Sequence, residues 1–70
     1  MGAKERRERE RMERRRAILD AARVLVREHG FNRTTTRMMA DRCELSEATL
    51  FFYFSSKDEI LTSLLLEGAE

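Results

Sequence analysis

"ELSEATLFFYFSSK", residues 44–57, places Phe51, Phe52, Tyr53 and Phe54 in succession, in a chain that is 39% charged and has one other aromatic, Phe31. By intrinsic preference "TLFFYF" is strand material. Ser46, Glu47 and Ala48 argue for a helix start instead, because Ser is a preferred N-cap and its hydroxyl can accept from a free backbone N–H. A lone strand would also find no partner here. On a helix beginning at Ser46, Leu50 and Phe54 fall one turn apart on a common face, whereas Ala48, Phe51 and Phe52 lie well away from it and Tyr53 sits between. Leu50 and Phe54 are therefore expected in the core, and Phe51 and Phe52 are expected to face outward at least in part.

The flanking sequence supplies the other elements. Upstream, Thr35 of "TTTRMMADRC" is a suitable N-cap for a short helix through Cys43, with Met39, Ala40 and Cys43 turned inward. "ELS" leaves only a tight connection to the next helix. Before that, Ile18, Ala21, Ala22, Leu25 and Val26 recur at helical spacing until "EHGF", where Gly30 can take the left-handed conformation that closes a helix and Phe31 can fold back on Val26. His29, in the last turn, favours the negative helix end when protonated. Downstream, "SSKDEILTSLLLE" opens with a capping box, Ser56 and Glu59, and continues through Ile60, Leu61, Leu64 and Leu65 as an amphipathic helix to the end of the chain. The fold class is all-α, with four helices. Two short ones joined by a tight turn on a longer first helix form the homeodomain-like, three-helix helix-turn-helix arrangement.

Seventy residues make one domain with a compact core. The single cysteine, Cys43, rules out an internal disulfide, and one histidine gives no zinc spacing. No apolar stretch approaches bilayer length and no signal peptide is recognisable, so a soluble, cytoplasmic protein is expected. Net charge is +1, yet residues 1–16 carry +4 and residues 17–70 carry −3. The N-terminal "KERRERERMERRR" has Glu5/Arg9, Arg6/Glu10, Arg9/Glu13 and Glu10/Arg14 spaced for helical pairing, each supporting a helix by roughly 0.2–0.5 kcal/mol. Having no apolar stripe, it reads either as a frayed extension of the first helix or as a disordered arm. Of the 14 cations all but Lys4 and Lys57 are Arg, whose planar fork suits phosphate and guanine edges.

Exposed rings invite aggregation unless a partner uses them. Small residues, Ala48 and Thr49, near the start of the aromatic helix allow close approach, which suits a recognition helix entering the DNA major groove by its N-terminal end. A helical protein-interaction module using Phe51, Phe52 and a Leu64–Leu66 ridge is the alternative. No Ser/His/Asp set, paired carboxylates, metal spacing or Gly-rich phosphate loop can be assembled, so neither enzymatic activity nor a cofactor or metal is expected.

From Ile18 to Leu61, roughly two-thirds of the chain, the sequence resembles the N-terminal DNA-binding domain of the tetracycline-repressor (TetR) family. The likeness lies in "ILDAARVLVREHGF", "TTTRMMADRC" and "LSEATLFFYFSSKDEIL", with Gly30, Phe31, Thr34, Thr35, Ala40, Ser46, Thr49, Leu50, Tyr53, Phe54, Ser56 and Lys57 at the family's spacings. The resemblance implies that Thr35 and Thr36 contact phosphate and that Arg37 reaches phosphate or a base edge. It implies that Glu47, Ala48 and Thr49 face bases, while Phe51, Tyr53 and Lys57 grip the DNA backbone; the outward Phe52 is expected among the DNA-binding residues as well. Three positions depart from the family pattern. Glu44 replaces the turn glycine, Phe51 replaces a Tyr, and Glu47 brings a negative charge that can accept from a cytosine amino group or simply suit the helix N-terminus. The implied organisation is a charged arm at 1–16, a helix-turn-helix domain at 17–57, and at 57–70 the start of a fourth helix leading to an absent C-terminal domain. That domain would bind a small-molecule effector and form the homodimer that reads a palindromic operator in double-stranded DNA; the isolated chain would be a monomer. No membrane partner is expected.

Overall fold

The computed structural model describes residues 2–67. Four helices follow in order, α1 (Ala3–His29), α2 (Thr36–Arg42), α3 (Glu47–Tyr53) and α4 (Lys57–Glu67). The charged arm is the first part of α1, continuous with the apolar part that begins at Ile18. At about 1.5 Å per residue its 27 residues span ~40 Å, close to the longest dimension of the molecule, 41 Å.

One core joins all four elements: Ile18, Leu19, Ala22 and Leu25 from α1, Met39 and Ala40 from α2, Leu50 from α3, Phe54 just after it, and Ile60 from α4. Each fully buried large side chain among these contributes roughly 1.5–3 kcal/mol relative to exposure. The expected short-helix caps are both made. Thr35 Oγ1 accepts from the Met38 N–H at 3.1 Å, and Ser46 Oγ accepts from the Thr49 N–H at 3.1 Å. Cys43 ends α2 as its C-cap, half-buried, with its Sγ 3.6 Å from the Ala17 carbonyl oxygen. Burial pushes the Cys43 thiol pKa up, which keeps it protonated as a weak donor.

The aromatic run is divided by its backbone. Tyr53 ends α3, and Phe54 is extended at φ −137°, ψ 130°, while its N–H still bonds Leu50 O at 3.1 Å. The change in backbone turns the last ring inward, so Phe54 and Leu50 are buried as the wheel predicts.

Several expectations are corrected in detail. Gly30 does close α1, its N–H bonding Val26 O at 2.8 Å, but at φ 86°, ψ 163° it is not left-handed helical. That region is open essentially to glycine alone. Phe31, expected to fold back toward Val26, is 42% exposed and has the Lys57 ammonium over its ring. The Ser56 half of the capping box forms, with the Glu59 N–H donating to Ser56 Oγ at 3.1 Å. The reciprocal half moves one residue back, and Glu59 Oε1 accepts from the Ser55 N–H and hydroxyl, each at 2.6 Å. Both Ser55 bonds hold the Glu59 carboxyl below its ordinary range, the hydroxyl first. On α4 the inward face is Ile60, Ser63 and the partly buried Leu64; Leu65 is 79% exposed. The expected continuation of α4 to the last residue lies outside the described residues.

Arg15, at the end of the arm, has a tertiary role. Its fork donates to both Glu67 carboxylate oxygens, at 2.7 and 2.6 Å, and its guanidinium lies 5.2 Å from the Phe54 ring centroid. At the other end of the pair, Lys57 of α4 meets Phe31, which follows α1. The two helices are therefore antiparallel, and residues 3–14 project past the C-terminal end of α4.

Candidate nucleic-acid interface

The residues singled out in sequence lie at the N-terminal end of α2 (Thr35, Thr36 and Arg37), along α3 (Glu47 to Tyr53) and at the first residue of α4 (Lys57). Thr35 and Ser46 cap the two short helices, which leaves the first turn of each close to the surface. Ala48 is exposed and Thr49 half-buried, whereas Leu50 is fully buried. An exposed face and a core face thus lie on opposite sides of one seven-residue helix. The connection between α2 and α3 is held by four backbone bonds: Cys43 N–H is shared between Met39 O and Ala40 O, each at 3.1 Å, Glu44 N–H donates to Asp41 O at 3.1 Å and Leu45 N–H to Ala40 O at 2.8 Å. Glu44 sits at φ 60°, the left-handed conformation in which a side chain is disfavoured.

Thr36 and Glu47 are brought into direct contact. The Thr36 hydroxyl donates to Glu47 Oε2 at 3.0 Å, across the mouth of the α2–α3 pair. Its hydrogen is thereby committed to protein, and the Thr36 oxygen keeps its acceptor capacity toward solvent. The Glu47 carboxylate is oriented by the same bond and keeps lone pairs for a donor such as a cytosine amino group. Nothing in the spacing of the two residues signals this pairing, because it depends on how the two helices cross. Arg37 is exposed and pairs with no carboxylate among the described residues.

Phe51 and Phe52 are 43% and 72% exposed. Phe52 packs edge-to-face on the half-buried Tyr53, with centroids 5.4 Å apart and planes at 85°, which orients the ring without covering it. Lys57, half-buried at the first residue of α4, has its Nζ 4.4 Å from the Phe31 ring centroid. No carboxylate pairs with Lys57 among the described residues. The candidate residues therefore include two cations with no carboxylate partner among the described residues, Arg37 and Lys57, together with two exposed rings and the small residues Ala48 and Thr49.

Residues 18–64 match the tetR family of bacterial regulatory proteins. The chain belongs to the tetR family. Among curated tetR-type relatives it is 42% identical over 48 residues to the uncharacterized HTH-type transcriptional regulator YvkB of Bacillus subtilis, covering 69% of this chain and 25% of that one. It is 40% identical over 53 residues to the HTH-type transcriptional repressor KstR of Mycobacterium tuberculosis, covering 76% and 24%. It is 32% identical over 53 residues to the HTH-type transcriptional regulator UidR of Escherichia coli, covering 76% and 27%. The chain spans about a quarter of the length of the tetR-family relatives it matches. Its all-α helix-turn-helix fold and DNA-binding regulatory class agree with those names, and the protein-interaction alternative is not favoured. No helix among the described residues is long and apolar enough to cross a membrane.

Proposed function

We propose that this chain is the operator-reading domain of a cytoplasmic transcriptional regulator and that α3 enters the major groove of double-stranded DNA by its N-terminal end. The observation that carries the reading is the division of α3, with Leu50 fully buried and Glu47 and Ala48 open to solvent beside Thr35, Thr36 and Arg37. In this reading Thr35 and Thr36 lie against phosphate at the start of α2, and Arg37 reaches phosphate or a base edge. Glu47, Ala48 and Thr49 face bases, and Phe51, Phe52, Tyr53 and Lys57 hold the sugar-phosphate backbone. The domain proper covers 17–57, preceded by the arm at 1–16 and followed by α4, which leads into an effector-binding and dimer-forming region of a longer parent.

A homodimeric parent presents two recognition helices to a palindromic operator and gains from effective concentration. A single copy has one half-site, so affinity near the non-specific range, roughly micromolar or weaker at physiological salt, is expected of the isolated chain. Selection of bound duplexes from a random library, followed by comparison of Arg37→Ala on matched and mismatched duplexes, tests this. Base reading by Arg37 relaxes preference at one position by about 1–3 kcal/mol, and a phosphate contact lowers affinity uniformly. Recovery of no duplex at low salt overturns the DNA reading. An Arg37→Ala variant with unaltered affinity on both duplexes removes Arg37 from the interface.

A further inference from the structure

We propose that Phe31 is a positioning residue for DNA binding, whose ring holds the Lys57 ammonium ready for a phosphate; the inference rests on the DNA-binding reading above. A phenylalanine in a 70-residue domain with a small core is normally recruited to that core, yet Phe31 is 42% exposed. Its backbone is fixed from both sides. Gly30, at φ 86°, redirects the chain. The fully buried Thr34 then donates its hydroxyl to Gly30 O at 2.8 Å and its N–H to the Gly30 and Phe31 carbonyls, each at 3.2 Å. The ring on this anchored turn lies 4.4 Å from Lys57 Nζ.

A ring suits this task better than a carboxylate. The negative face of an aromatic ring attracts an ammonium without cancelling its charge, and a lysine ammonium has three donors, so those not directed at the ring remain for phosphate oxygens. An acidic partner would hold Lys57 equally well but would leave a neutral pair facing a polyanion. Lysine carries a long, flexible stem that loses rotamer freedom whenever its head is fixed. With Phe31 beneath it, part of that loss is incurred on folding and not on binding. Phe31 thus ties the α1–α2 turn to the first residue of α4, and it belongs to the binding surface although it need not touch DNA.

The test is a double-mutant cycle on the 70-residue chain, read by fluorescence anisotropy on a labelled mixed-sequence duplex over a range of salt. Phe31→Leu should weaken binding about 2- to 5-fold, the part of the Lys57 rotamer loss that folding otherwise bears, and should have no effect in a Lys57→Ala background. Phe31→Tyr, which keeps the ring, should restore wild-type affinity. A loss that persists in the Lys57→Ala background, or no loss in the wild-type background, overturns the proposal. Proton NMR of the free protein supplies a reading that needs no DNA. The Lys57 ε-methylene protons should be shifted upfield by the ring in wild type and in Phe31→Tyr, and should return to ordinary values in Phe31→Leu. Absence of that shift in wild type also overturns it. If the shift is present but no variant binds duplex, the DNA-binding reading has failed and the proposed role for Phe31 falls with it.

Discussion

Arg15 lies over Phe54 at one end of the α1–α4 pair, and Lys57 lies over Phe31 at the other. The geometries are alike, but their surroundings differ. Phe54 is a buried core ring, and Arg15 is also bonded by both branches of its fork to Glu67. Its charge is matched by that carboxylate, in an exposed pair that joins the two helices. Phe31 is half in solvent, and Lys57 has no carboxylate partner among the described residues, so its charge is held in place and still available. A cation over a ring is therefore a fastening where an anion completes it and a presented ligand where none does.

Removing the buried ring should have the largest effect. Phe54→Ala is expected to destabilise the domain by about 3–5 kcal/mol, because it opens a cavity against Leu50 and Ile60 and strips Arg15 of its platform. Chemical denaturation reads this directly, and a loss similar to that of a surface substitution would mean that the Arg15 end is not the fastening described. The corresponding change at the other end should leave stability nearly unaltered and act on binding. Lys57→Ala is expected to reduce the salt slope of duplex binding by about 0.9, the value for one phosphate contact. Deleting residues 2–14, which remove more charge, should reduce it by less. That part of α1 projects past Glu67, away from Lys57, and charges further from DNA than a Debye length of about 10 Å at 0.1 M salt are largely screened. A steeper loss of slope on deletion than on Lys57→Ala would place the arm on DNA and invert the comparison.

Much of the fold is legible in the sequence because its signals are local. Ser46 and Thr35 sit one residue before their helices, and their cap bonds reach only three residues along the chain. Leu50 and Phe54 follow from one turn of spacing. The errors occur where a second element decides the outcome. Leu65 fits an apolar stripe on an isolated α4, but α4 packs on α1 through Ile60, Ser63 and Leu64, so a small hydroxyl is buried and the leucine is left outside. Arg15 and Glu67 are 52 positions apart, and within the arm Arg15 looks like any other solvated arginine. The candidate site divides in the same way. The exposed faces of Ala48, Phe51 and Phe52 could be read from a wheel, whereas the Thr36–Glu47 bond and the Phe31–Lys57 contact depend on tertiary placement.

Two smaller effects refine the contrast between the ends. Glu44 belongs to neither, and its φ of 60° strains the turn alone. Glu44→Gly is expected to raise stability by about 1 kcal/mol without altering the salt slope, and a lower melting temperature would show that Glu44 has a compensating role. At the Arg15 end, the bond from Arg15 holds the Glu67 carboxyl below its ordinary value of 4.5. A depressed carboxyl stabilises the fold fully above its unfolded value, and this contribution is lost as pH falls through the folded one. Arg15 stays protonated throughout, so the carboxyl alone sets the window. Wild type should therefore lose more melting temperature between neutral pH and the acid side of that window than Glu67→Gln does, by a margin smaller than the Glu44→Gly gain, as expected of an exposed pair. Equal losses would mean that the Glu67 fastening is without thermodynamic weight.

The turn that carries Phe31 begins at Gly30, where a β-carbon built on the backbone would meet no atom within 4 Å. Room is therefore not what reserves the position for glycine. The constraint is one of handedness, since at φ 86°, ψ 163° any L-residue collides with its own backbone whatever space surrounds it. Residue 30 selects against chirality and is indifferent to size, so even the smallest L-side chain must either bear the strain or swing the chain that follows, and with it the ring beneath Lys57.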